Sequence, residues 1–144
     1  MIVTIRISGK VGTSKDIEAT LERMNMKRKF SCSLLHETLE NKGMINKVKQ
    51  FIAYGKISKE TLIKLLEKRG KLIGNKKINK SQAEKITAEI LDGKLQKKLR
   101  GIGIKPFFRL HPPVKGLKNS KADYPRGDLG NHGDKINLLL ERML

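Results

Sequence analysis

The sequence predicts an α+β fold, and three observations predict it. Near the start, Val3, Ile5 and Ile7 alternate with Thr4, Arg6 and Ser8, the period of a strand with one apolar face. Between Leu39 and Tyr54, Met44, Ile45, Val48 and Ile52 recur at helical spacing. The same run closes on Phe51-Ile52-Ala53-Tyr54, a composition that suits a strand. With the segments between them, these stretches give the order β-α-β-α-β over residues 2–57, whereas residues 58–144 read as helices and loops. The expected organisation is a core of residues 1–57 with an extension, residues 58–144, packed on it as one compact unit.

Each element has a local reason. Val3–Ile7 is read as a half-buried strand, broken by Gly9-Lys10-Val11-Gly12. Thr13-Ser14-Lys15-Asp16 has the Thr-x-x-Asp form of a capping box, and Ile17, Leu21 and Met24 then share a helical face. Ser31–His36 reads as a second strand with Cys32 and Leu34 on one side. In the helix that follows, Lys42, Asn46 and Lys49 lie roughly opposite the apolar residues. One side therefore presses into a core and the other turns cations and an amide outward. Ser58 reads as the N-cap of a third helix with Leu62, Leu65 and Leu66 inside, ending near Gly70. Lys71–Lys80, with its lysines, Gly and Asn, is a basic loop. Ser81-Gln82-Ala83-Glu84 has the form of a second capping box, opening a helix with Ile86, Ile90 and Leu91 that ends at Asp92-Gly93. Gly101-Ile102-Gly103 is a turn. Ile104–Leu110, containing Phe107 and Phe108, reads as an apolar strand stopped by Pro112-Pro113. Val114–His132 is a long irregular segment. Asn131–Leu144 reads as a final helix with Ile136, Leu139, Leu140 and Met143 as its stripe and Asp134 in the first turn.

Charge narrows the class of partner. The chain has 32 basic and 14 acidic residues, a net charge of +18, and a hydrophobic content of 38%, enough for a packed core. Residues 1–57 hold 11 basic and 5 acidic residues, 58–91 hold 9 and 4, and 92–144 hold 12 and 5. The three segments thus carry +6, +5 and +7. A body that repels itself from every third of its length calls for a polyanion around it, not for one basic arm on a neutral enzyme. With two Tyr, four Phe and no Trp, stacking does not dominate, and folded RNA read by shape and backbone is expected.

Other chemistries find little support. The lone Cys32 excludes an internal disulfide and gives no sign of secretion. The first residues lack the basic and long apolar regions of a signal peptide, and no apolar run is long enough to span a bilayer, so no membrane partner and a cytoplasmic location are expected. His36, His111 and His132 are dispersed and no carboxylate pair stands out, so no metal, cofactor, small-molecule substrate or catalysis is expected. Gly9-Lys10-Val11-Gly12-Thr13 lacks the full phosphate-loop spacing and is read as a tight turn whose amides and Lys10 hold an RNA phosphate. Arg126-Gly127-Asp128 is read as a turn. On the residues alone, the chain suits a subunit of an RNA particle or, alternatively, a free-standing basic RNA chaperone or regulator.

Gly43-Met44-Ile45-Asn46-Lys47-Val48 resembles the signature of a ribosomal protein family of the large subunit, called L-thirty in bacteria and L-seven in eukaryotes. Ala53-Tyr54-Gly55, Lys68-Arg69-Gly70, Phe108-Arg109-Leu110, Pro112-Pro113, Gly127-Asp128-Leu129-Gly130-Asn131 and Asp134-Lys135-Ile136-Asn137 resemble markers of its archaeal and eukaryotic members. A long basic arm typical of eukaryotic members is not seen before the first strand, and His132-Gly133 stands where those members tend to have Arg-Glu. The resemblance is thus to the archaeal type. It implies a three-stranded, mostly antiparallel sheet backed by two helices, similar to the ferredoxin-like class. It also implies a structural, non-catalytic role on large-subunit ribosomal RNA, near the 5S RNA and among neighbouring ribosomal proteins.

The candidate RNA contacts are the clustered cations and their polar companions. They are Lys10 in the first turn; Lys27, Arg28 and Lys29; and the Lys42, Asn46 and Lys49 face. Further on come Lys71, Lys76, Lys77 and Lys80, and then Arg109, His111, Lys115, Lys118, Lys121 and Arg126. Phe107 and Phe108 are read as core, with the possibility that strand alternation turns one of them toward RNA or a neighbour.

Overall fold

The structure, a computed structural model, describes residues 1–91 and 103–144. The sheet is built on β1 (Ile2–Arg6), which pairs antiparallel with β2 (Ser31–Leu35) on one side and with β3 (Ile52–Lys56) on the other. Ile5 lies opposite Cys32 in one register and opposite Ala53 in the other. Helix α1 (Lys15–Arg23) joins β1 to β2, and α2 (Leu39–Val48) joins β2 to β3. This is the β-α-β-α-β order that the periodicity predicts, in an α+β fold.

The sheet is larger than expected. It has five strands, not three, in the order β4-β2-β1-β3-β5. The extension supplies both edges: β4 (Phe108–Arg109) runs antiparallel to β2, and β5 (Gly130–Asn131) runs parallel to β3, so the sheet is mixed. Each edge strand has two residues, too few for an alternation to show, and one begins with Gly. Only Phe108–Arg109 of the expected strand Ile104–Leu110 is strand; Ile104 makes an isolated bridge to Leu72.

Both faces of β1 are buried, contrary to the half-buried reading. Val3, Ile5 and Ile7 pack against α3 (Lys59–Arg69), α4 (Lys80–Leu91) and α5 (Ile136–Glu141) through residues such as Leu62, Leu66, Ile90 and Leu140. On the other face, Ile2, Leu35 and Ile52 pack against Leu21 of α1 and Ile45 and Val48 of α2. Thr4 and Arg6, the polar half of the alternation, are fully buried there. Thr4 donates its hydroxyl to the Ser33 carbonyl at 3.2 Å. Burial pushes the Cys32 thiol well above its ordinary pKa.

The caps differ in detail from the sequence reading. Ser14, not Thr13, precedes α1, and its side chain makes no capping bond. Ser58 accepts from the Thr61 amide at 3.3 Å, as expected of an N-cap. For α4 the reciprocal bond comes two residues earlier than predicted: the Asn79 amide donates to Gln82 Oε1 at 3.2 Å. The predicted stop at Asp92-Gly93 and the turn residues Gly101-Ile102 lie outside the described residues. The expected single helix over Asn131–Leu144 is β5, a 3-10 turn (Gly133–Lys135) and α5 in succession; Ile136, Leu139, Leu140 and Met143 are buried. Gly55 is required by approach: a Cβ there would collide with the Gly133 carbonyl and sit 2.9 Å from Ile136. No helix among the described residues is long and apolar enough to cross a membrane.

Candidate nucleic-acid interface

The edge at β4 gathers cations from distant parts of the chain. Strand alternation sends Phe108 into the core and leaves Phe107 half-buried and Arg109 exposed. The Ser31↔Arg109 pairing sets β4 beside the loop that carries Lys27, Arg28 and Lys29, all exposed. That loop is fastened from below. Arg6 Nη1 donates to the carbonyls of Met26 (2.9 Å) and Lys27 (3.3 Å), while Nε and Nη2 donate to Ser8 (3.0 Å) and Gly9 (2.9 Å). Burial lowers the Arg6 pKa and the charge of Glu18 opposes that shift. An arginine in this setting stays charged, so four carbonyl dipoles stand in for a carboxylate.

Two pockets flank the ridge made by Phe107 and Arg109. One, of about 230 Å³, is completed by Asn25, Lys27, Arg28 and Ser31. The other, of about 200 Å³, is completed by Arg69, Lys71, Asn75 and Lys105. The Arg109 guanidinium lies 5.9 Å from the Phe107 ring centre. Lys105 Nζ donates to Asn75 Oδ1 at 2.6 Å, and Arg69 Nη2 donates to the Leu144 carbonyl at 2.6 Å. The sequence reading singled out Lys27, Arg28, Lys71 and Arg109 but missed Asn25, Arg69, Asn75 and Lys105. Isolated cations and amides give no local signal; only the fold assembles them.

Helix α2 forms a second face. Lys42 and Asn46 are exposed and line an open groove of about 600 Å³ with Tyr54, Lys56 and Asn131, and with Glu37 and Asp134 on the same rim. Lys49 is exposed but is not part of this groove. On the inner side Ile45 and Val48 are buried while Met44 is only half-buried, and Ile52 belongs to β3 and not to the helix face. The helix also buries Asn41, whose amide donates to the His36 carbonyl at 2.9 Å, a contact its type did not announce.

The remaining candidates are spread over the surface. Lys10 pairs with Glu18 at 3.1 Å, so its charge is partly answered within the protein. Lys76, Lys77 and Lys80 are exposed around the turn at Gly74-Asn75, where φ is positive at both residues. His111, Lys115, Lys121 and Arg126 are exposed, and Lys118 Nζ donates to the Pro125 carbonyl at 3.1 Å. The segment that holds them is tied at several points. Arg142 donates to the carbonyls of Val114 and Gly116, and the Asn119 amide donates to Asp128 Oδ2 at 3.1 Å. His132 is buried, bonds to the Asp128 carbonyl at 3.0 Å and lies 4.5 Å from the Tyr124 ring, so it props the loop. Among the described residues the side-chain ion pairs are Lys10–Glu18 and Lys64–Glu141. The hydrogen bond and charge of Glu141 raise the Lys64 pKa. Among the described residues, most Lys and Arg side chains therefore have no carboxylate partner within the protein.

The model of the family described as ribosomal protein L30p/L7e matches residues 3–52, from β1 to the first residue of β3. A large ribosomal subunit protein uL30 of Archaeoglobus fulgidus is 38% identical over 153 aligned positions, covering 99% of each chain. Its counterpart in Methanoregula boonei is 40% identical over 154 positions, again 99% of each. The chain belongs to the L30p/L7e family. This family is a structural one and not an enzyme family. Its model stops where β3 begins, but the likeness to the archaeal uL30 proteins runs on through the extension, including that of Nanoarchaeum equitans, 38% identical over 96% of each chain. The edge strands and basic surface built from residues 58–144 thus lie in a part shared with those relatives.

Proposed function

We propose that this L30p/L7e member is a structural constituent of the large ribosomal subunit, supporting translation as a scaffold of large-subunit ribosomal RNA. The observation that carries this is the end-to-end likeness to archaeal proteins named for that subunit. The physical support is the charge: +18, spread over the whole chain and, among the described residues, little answered by carboxylates. Lysine and arginine side chains displace counterions from RNA phosphates, which binds backbone and shape without reading sequence. The contacts we assign are the β4 edge with Lys27, Arg28, Lys71 and Arg109, and the α2 face with Lys42, Asn46 and Lys49. Lys10, Lys29, Lys76, Lys77, Lys80, His111, Lys115, Lys118, Lys121 and Arg126 serve as peripheral phosphate contacts. We place the seat near the 5S RNA and beside other ribosomal proteins, as the family resemblance implies.

Sedimentation of a lysate is the test. The protein should migrate one-to-one with large subunits and stay with them through a wash in moderate salt, leaving only at high ionic strength. Recovery mainly in the soluble fraction, bound weakly to many RNAs, would instead favour a free-standing chaperone and sink the proposal.

A further inference from the structure

We propose that Phe107 is a stacking platform for one unpaired base of the bound RNA, with the phosphates on either side of that nucleotide gripped from the two flanking pockets. The inference rests on the ribosomal reading and adds to it a named site and ligand class. Phe107 is the odd phenylalanine of the four. Phe108 lies in the core, and Phe30 and Phe51 pack partly against the two apolar clusters, but among the described residues Phe107 belongs to neither cluster. The exposed part of a half-buried phenyl ring is apolar surface left in water, which a stacked base would cover. The ring lies on a ridge between two concave, basic pockets.

The surroundings suit a nucleotide and not an apolar partner. Lys27 and Arg28 stand on one side of the ring and Lys71 and Lys105 on the other, with Arg109 lining both pockets; no carboxylate is among the described residues that line either pocket. None of these five cations is ion-paired among the described residues. The Arg109 guanidinium is 5.9 Å from the ring centre, near the outer limit of a cation–π contact, so it does not seal the ring. Asn25 and Asn75, one in each pocket, add side-chain amides of the kind that hydrogen-bond base edges. Sequence-tolerant stacking on an aromatic flanked by cations is how proteins hold unpaired nucleotides.

The test uses large subunits stripped of this protein by salt and rebuilt with the full-length chain or its variants. Co-sedimentation of the unmodified protein comes first, and its failure would sink the ribosomal reading itself. Given that, Phe107→Leu should lower affinity about tenfold, the loss expected for one base stack, and should raise 2′-hydroxyl acylation at one or two unpaired nucleotides only. Phe107→Tyr should restore both. Lys27→Ala with Arg28→Ala should reduce the salt dependence of binding, by about one to two in the log–log slope, while leaving the acylation pattern in place. An acylation pattern unchanged in Phe107→Leu would overturn the stacking site while the ribosomal reading stood. So would equal failure of the Leu and Tyr variants at unchanged melting temperature.

Discussion

Arg6 is the residue on which the basic surface depends without being part of it. It sits fully buried in the central strand, and its guanidinium bonds the carbonyls of Ser8, Gly9, Met26 and Lys27. The turn after β1 and the loop before β2 are thereby locked to the sheet, and with them the backbone of Lys27. Arg6→Met keeps the stem but takes the guanidinium donor from all four carbonyls, of which Gly9 keeps a long bond from the Thr13 hydroxyl. Hydrogen bonds to a charged group are worth about 1.5–3 kcal/mol each and an orphaned buried acceptor costs about 1–3 kcal/mol. Solvent can reach some of the freed carbonyls, so a total loss of about 2–4 kcal/mol in urea unfolding is expected. Amide exchange should quicken first over residues 25–30; a variant as stable as the parent, with that loop equally protected, would show that the bonds are incidental. The sequence reading placed Arg6 on the outer, polar half of a strand. Alternation reports which side chains share a face, not whether a second layer covers the other one.

At the scale of the element, α2 tests whether one short helix separates folding from binding. Its inner face rests on Ile45 and Val48, both buried, and its outer face presents Lys42, Asn46 and Lys49. Ile45→Ala should cost about 2–5 kcal/mol, the range for emptying a buried Ile site. Met44→Ala should cost less than that, because Met44 is only half-buried. Lys42→Glu, Asn46→Asp and Lys49→Glu together should weaken RNA binding by at least tenfold at low salt while the melting temperature holds. Thermal melts beside filter binding would decide it, and loss of binding in step with loss of stability in both variants would refute the two-faced helix. The helix was legible because its buried pair Ile45 and Val48, its outward cations and the strand residues after it agreed, although the apolar period also took in Ile52, which belongs to β3. The edge strands were not, since β4 and β5 have two residues each and owe their conformation to the strand they pair with. The candidate β4-edge site was legible only in part for the same reason: Lys27, Arg28 and Arg109 are adjacent letters or obvious cations and Phe107 was one of two candidates, whereas Arg69 and Lys105 come beside them only after pairing.

For the whole molecule, the question is whether residues 1–57 and 58–144 are separable. We propose that they fold as one unit. The face of the sheet formed by Val3, Ile5, Ile7, Cys32 and Leu34 is at most 7% exposed, and its cover comes from the extension: Leu62, Leu65, Leu66, Ile136 and Leu140. The extension in turn completes both sheet edges. Cutting after residue 57 would bare a continuous apolar face and leave both flanking strands unpaired on their outer sides, the condition that favours association over folding. A chain of residues 1–57 is therefore expected to show no cooperative thermal transition and to associate as its concentration rises. In the full chain, probes placed in the two halves should report a single coincident urea transition, since two units with separate cores would melt apart. Circular dichroism for the cut chain and site-specific fluorescence for the intact one are sufficient measurements. A monomeric, cooperatively melting fragment would show that the core stands alone, and that the extension was added to a finished fold and not built into it.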